Sequence, residues 1–113
     1  MNEAEFDKLS DLFYREAPWG FSLSIEEYDP NRYGSCNDAD KVITLFGPLD
    51  FEYKRVEITV LHEVAHANVN DGRHSQKWVR EFIRLLEKHK IDKTYFASIA
   101  ELGPTLFKWV RDV

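Results

Sequence analysis

His62-Glu63-Val64-Ala65-His66 sets two imidazoles four residues apart with a carboxylate between them. Residues four apart on a helix stand one above the other, so both rings can reach one ion. Glu63 is turned by about 100° from His62, which lets it reach a metal-bound water without being a ligand. Zinc lowers the pKa of such a water to about 7, a nearby carboxylate can take its proton, and the hydroxide then attacks a carbonyl that the metal polarises. The HExxH pattern therefore points to metal-assisted hydrolysis, with His62 and His66 as ligands and Glu63 as general base. The plainer reading is two histidines that merely share a helix face. The turn and the further histidine downstream speak against it.

A catalytic zinc usually has three protein ligands and one open position. His74 is the best third candidate. On an unbroken helix it would lie about 12 Å along the axis from His66, at about 1.5 Å per residue, and could not share the ion. Asn70-Asp71-Gly72 is a helix-stop signal that lets the chain fold back and removes this objection. Glu81 and Glu87 are rival third ligands, as in His₂Glu sites, although both read more simply as solvated helix positions. His89 follows a lysine at a helix end and reads as a partner of the helix dipole.

These groups need elements to hold them. Phe6, Leu9, Leu12 and Phe13 recur at helical spacing within 3–16, and Pro18 and Gly20 end that helix. Residues 21–28 alternate, with Phe21, Leu23 and Ile25 on one side, as a half-buried strand does. Strands are also expected over 32–36 and 41–46, joined by the tight turn Asn37-Asp38-Ala39-Asp40 as a hairpin. After Gly47-Pro48 a long helix is expected over 49–69, carrying the HExxH motif, with Val56, Val60 and Val64 four apart. A further helix over 75–88 offers Trp78, Phe82, Leu85 and Leu86 to the core. Residues 94–102 read as helical, and Leu106, Trp109 and Val110 as packing back on the core.

The chain has 113 residues, 43% hydrophobic and 31% charged, which fits one globular domain over 1–113. Its net charge of −5 argues against a dedicated nucleic-acid binder. The charge is uneven: residues 1–72 are strongly acidic, while 73–113 are net basic. A single cysteine, Cys36, excludes a disulfide framework and a Cys₄ zinc ribbon and fits a reducing compartment. The acidic, amphipathic N-terminus does not read as a signal peptide, and no apolar run reaches the ~20 residues of a membrane span. A cytoplasmic monomer is expected.

Four elements in order then carry a resemblance. They are Arg32-Tyr33-Gly34-Ser35-Cys36, Val42-Ile43-Thr44-Leu45, Val60-Leu61-His62-Glu63-Val64-Ala65-His66 and Gly72-Arg73-His74-Ser75-Gln76-Lys77-Trp78. Together they resemble the SprT-like family of zinc metallopeptidases, clearly over residues 32–78. The resemblance implies an α+β, zincin-like fold with a small three-stranded sheet packed with an active-site helix and flanking helices. It also implies Zn²⁺ held by His62, His66 and His74, Glu63 as catalytic acid/base, and protein or peptide substrates, including proteins attached to DNA. Two departures stand out. Ser75 replaces the usual glycine after the third histidine. The cysteine-rich ribbon associated with DNA binding is also missing, which weakens the DNA-linked part of the expectation.

Arg73, Lys77, Arg80, Arg84 and Lys88 form a basic stripe beside His74. It offers weak contact to nucleic-acid phosphates, against the plainer reading of a solvated helix face paired with acids. Cys36 reads as a small buried residue at a strand end, with a reactive thiol or zinc-regulating ligand as the rival. Gly34 reads as a site of close backbone approach, and Tyr33 and Tyr53 as candidate transition-state donors. Against the peptidase reading stand two others: a non-catalytic zinc-containing module that binds and inhibits a host protein or DNA, and a metallohydrolase acting on a non-protein amide.

Overall fold

A computed structural model gives the architecture of residues 1–92. The expectations for 94–102 and for Leu106, Trp109 and Val110 lie outside these described residues. Helix α1 spans Glu3–Glu16, strands β1, β2 and β3 span Ser22–Glu26, Gly34–Asn37 and Val42–Phe46, and helices α2 and α3 span Tyr53–Val69 and Gln76–Lys88.

Helix α1 begins at a reciprocal cap. The Asn2 side chain accepts from the Glu5 N–H at 2.8 Å, and the Glu5 side chain accepts from the Asn2 N–H at 3.0 Å. Its buried face carries Leu9, Leu12 and Phe13. The sheet order is β1-β3-β2, with β1 parallel and β2 antiparallel to β3. The expected hairpin is therefore β2–β3. Its turn is held by the Asn37 side chain, which accepts from the Asp40 N–H at 3.0 Å. Strand β1 is shorter than the expected 21–28. Ile25, expected on its inner side, is 41% exposed and lies on an edge strand of the sheet.

The expected helix over 49–69 starts later. Pro48–Asp50 form a 3₁₀ turn, Phe51 returns to extended backbone, and α2 begins at Tyr53. Helical periodicity does not distinguish one 3₁₀ turn from the first turn of an α-helix. Helix α2 is the centre of the fold, packed on α1, α3, β2 and β3. Val56, Val60, Leu61, Val64 and Ala65 are buried, and the Trp78, Phe82, Leu85 and Leu86 side chains of α3 close on them. Truncating a buried aromatic such as Trp78 to alanine typically costs about 3–5 kcal/mol.

Helix α2 stops at Asn70, which adopts the left-handed conformation (φ 53°) that asparagine tolerates better than most residues. The Asp71 N–H then donates back to the His66 carbonyl at 3.2 Å. Ser75 caps α3, its side chain accepting from the Trp78 N–H at 3.3 Å. No helix among the described residues is long and apolar enough to cross a membrane.

Candidate metal centre

The fold-back after α2 brings His74 onto the face that carries His62 and His66. The His62 ring centroid lies 5.0 Å from each of the other two, and His66 lies 5.1 Å from His74. One nitrogen from each ring falls within 4.8 Å of the others. The Nε2 atoms of His62 and His74 stand 3.2 Å apart. Two nitrogens bound at about 2.0–2.1 Å to one tetrahedral zinc would stand about 3.3–3.4 Å apart, so this pair already has ligand spacing.

The remaining ring atoms are prepared for the same role. His66 Nδ1 lies 2.7 Å from the Asp71 carbonyl oxygen. A carbonyl only accepts, so Nδ1 carries the proton and Nε2 is left with a bare lone pair. Burial pushes His62 down to about 3, with His66 and His74 adding like-charge repulsion. His66 is also lowered, chiefly by burial. Neutral imidazoles are what a metal requires. Trp78 forms the floor: its ring stacks on His66 at 5.0 Å and lies 4.7 and 4.4 Å from His62 and His74. Its indole N–H donates to the His62 carbonyl at 3.2 Å. The sequence marks Trp78 as a core residue and as the end of the Gly72–Trp78 element, without showing that the three rings lie on it.

Glu63 is buried beside the cluster, with Oε2 3.8 Å from His62 Nε2. Burial raises its carboxyl to about 7. Edge strand β2 lies directly against it. A Cβ on Gly34 would stand 2.9 Å from Thr59 Cγ2 and 3.2 Å from Glu63 Cγ, which accounts for the close approach expected at Gly34.

The rival ligands fall elsewhere. Glu81 accepts from Asn68 at 2.7 Å and from Arg84 at 2.7 and 2.8 Å. Glu87 is exposed, and neither carboxylate belongs to the histidine cluster. His89 does sit at the C-terminal cap of α3, and its ring lies 3.4 Å from Glu16. That carboxylate, at the end of α1, also takes Lys88 at 2.7 Å. Cys36 is half-buried, and burial, with Asp38 and Glu63 nearby, pushes its thiol up to about 12. This leaves it protonated and poorly reactive. Tyr53 hydrogen-bonds with Glu57, and the Tyr33 hydroxyl accepts from Arg55 Nη2 at 2.7 Å. Of the basic stripe, Arg73, Arg84 and Lys88 pair with Asp71, Glu81 and Glu16, while Lys77 and Arg80 are exposed.

No protein-family model matches the chain, and no curated protein matches it in sequence. Two solved structures share its fold. One is the metallopeptidase zymogen jannalysin of Methanocaldococcus jannaschii, at a TM-score of 0.61 and 17% identity, covering 90% of this chain and 100% of that one. The other is the metallopeptidase zymogen abylysin of Pyrococcus abyssi, at 0.53 and 18%, covering 87% and 94%. At such identities the likeness is one of fold: this chain has the α+β architecture of those two zymogens, which is consistent with a zincin-like domain.

Proposed function

We propose that this chain is a zinc-dependent metallopeptidase, with the metal held by His62, His66 and His74 and with Glu63 as general base. The observation that carries the reading is the meeting of three imidazoles, two from one helix turn and one from the fold-back, beside a buried carboxylate. The chemistry of the donors fits zinc: three imidazole nitrogens, one with its tautomer set by the Asp71 carbonyl. When bound, zinc supplies a Lewis acid that polarises a peptide carbonyl and acidifies water.

The protein's own part is positioning and proton transfer. Glu63 takes the proton of the attacking water and passes it to the leaving amine. Its raised carboxyl is suited to both directions near neutral pH. The sheet edge at Gly34 confines that carboxylate, and Trp78 holds the three rings in place. Three histidines without a fourth donor in their cluster among the described residues favour an open coordination position over a closed, structural site. The order of the Gly34-Ser35-Cys36, Ile43-Thr44-Leu45, HExxH and His74 elements supports placement near the SprT-like enzymes. Action on DNA-associated proteins is the weaker part of the proposal, because three of the five stripe cations are already neutralised.

The test is peptide hydrolysis by the zinc-loaded protein and its Glu63→Gln variant. Hydrolysis lost in the variant with zinc retained is the expected result. Undiminished hydrolysis would remove Glu63 from the mechanism.

A further inference from the structure

Helix α2 carries a second functional group on its His62 face. Arg55 precedes His62 by seven residues, which turns it by only about 20° and sets it about 10 Å away along the axis. The chain entering β2 runs beside this stretch: Tyr33 meets Arg55, and the next residue, Gly34, lies on Thr59 and Glu63. Edge strand β2, packed on α2 at Gly34, therefore runs alongside the helix from Arg55 to the buried carboxylate of Glu63.

Arg55 is held for use. Its Nη2 donates to the Tyr33 hydroxyl at 2.7 Å, and its guanidinium lies 4.5 Å from the Tyr33 ring and 6.0 Å from that of Phe51. These contacts fix the plane of the group and, among the described residues, leave most of its donors unused. Nearby cations are neutralised: Arg32 pairs with Asp29 and Lys54 with Glu57, each at 3.0 Å. Among the described residues Arg55 has no carboxylate partner, although Asp50 and Glu52 lie close to it in the chain. An exposed, oriented guanidinium is suited to a carboxylate, which it can take in two parallel hydrogen bonds.

The geometry points to Arg55, framed by Tyr33 and Phe51, as a specificity site for a carboxylate of the bound peptide. The inference rests on the peptidase reading of the histidine cluster. An extended peptide advances about 3.3 Å per residue, so a separation of about 10 Å along the helix places that carboxylate about three residues from the reacting bond. Its source is an Asp or Glu side chain or the peptide's C-terminus. The overall field does not produce this preference, because residues 1–72 are strongly acidic and repel anions.

The test uses dye-labelled peptides of alanine and glycine carrying Asp, Asn or Lys at each position in turn, with free or amidated C-termini. Cleavage is scored as kcat/KM with zinc-loaded wild type, Arg55→Gln and Arg55→Glu. Binding is scored by anisotropy with Glu63→Gln and with Glu63→Gln/Arg55→Gln. The expected result is a preference of about tenfold for a carboxylate over Asn at one position, abolished by Arg55→Gln and turned toward Lys by Arg55→Glu. Loss of the preference on amidation alone would assign it to the C-terminus, and its dependence on Asp would assign it to a side chain. If no peptide is cleaved but carboxylate binding still depends on Arg55, the peptidase reading fails and the anion site stands. The same preference with and without Arg55, or none at all in binding, would overturn the inference.

Discussion

His66 Nδ1 lies 2.7 Å from the main-chain oxygen of Asp71, five residues on and across the turn that ends α2. One turn thus does two things. It returns the chain so that His74 reaches the HExxH face, and it supplies the carbonyl that sets the His66 tautomer. The conformation of Asn70 is the hinge of both.

Asn70 has φ 53°, a region that a β-branched residue resists. Asn70→Val is expected to cost about 1–2 kcal/mol and to weaken metal binding, because it displaces Asp71 and His74 together. Asn70→Gly should keep both properties. Thermal melts and zinc competition titrations on the two variants check this, and equal zinc affinity in both would break the link between turn and site.

A side chain on Gly34 has nowhere to go without moving Thr59 or Glu63. Gly34→Ala should lower the melting temperature and reduce kcat more than it raises KM, with zinc content unchanged. Thr59→Ser removes the methyl group that a Cβ would meet first, at 2.9 Å, so the double variant should recover part of the stability. No recovery would mean that the strand, not the contact, is what the alanine disturbs.

The pH dependence of the metal-free protein follows from two opposite shifts. His62 is lowered to about 3 by burial and by its neighbouring histidines. The unfolded chain therefore takes up its proton first, and stability falls as pH drops below about 6.5, the ordinary histidine value. Glu63 is raised to about 7 by burial, so its contribution is full below its ordinary value near 4.5 and is lost as pH rises through 7. Glu63→Gln abolishes only the second effect. The stability gap between the variant and wild type should widen from pH 4.5 to 7 by on the order of 3 kcal/mol. Urea unfolding across that range measures it, and a constant gap would mean that Glu63 keeps an ordinary carboxylate pKa.

Local signals made much of this architecture legible in advance. Helical spacing marked α1, α3 and most of α2. Asn70-Asp71-Gly72 marked the turn, and the Asn37–Asp40 stretch marked the hairpin. The meeting of His62, His66 and His74 could be anticipated because two of them are fixed by helix periodicity and the third by a stop signal. What stayed hidden depends on contacts distant in sequence. Nothing near Ser22–Glu26 announces that β1 pairs in parallel with Val42–Phe46. Trp78 reads as a core residue, since no pattern shows which rings lie on it. The rotation of α3 that gives Glu81 to Arg84 and Asn68, and the pairing of Glu16 with Lys88 and His89, likewise come only from packing. The start of α2 is not legible either: Leu49, an apolar residue after a proline, suits the 3₁₀ turn it occupies as well as the first turn of a helix.

The most direct test of the account is the zinc content of the purified protein, beside His62→Ala, His66→Ala and His74→Ala. About one zinc per chain, lost or weakened in each variant while Glu81→Ala retains it, is the expected result. No zinc after reconstitution, or binding that survives without His74, would contradict the three-histidine centre on which the proposed activity depends.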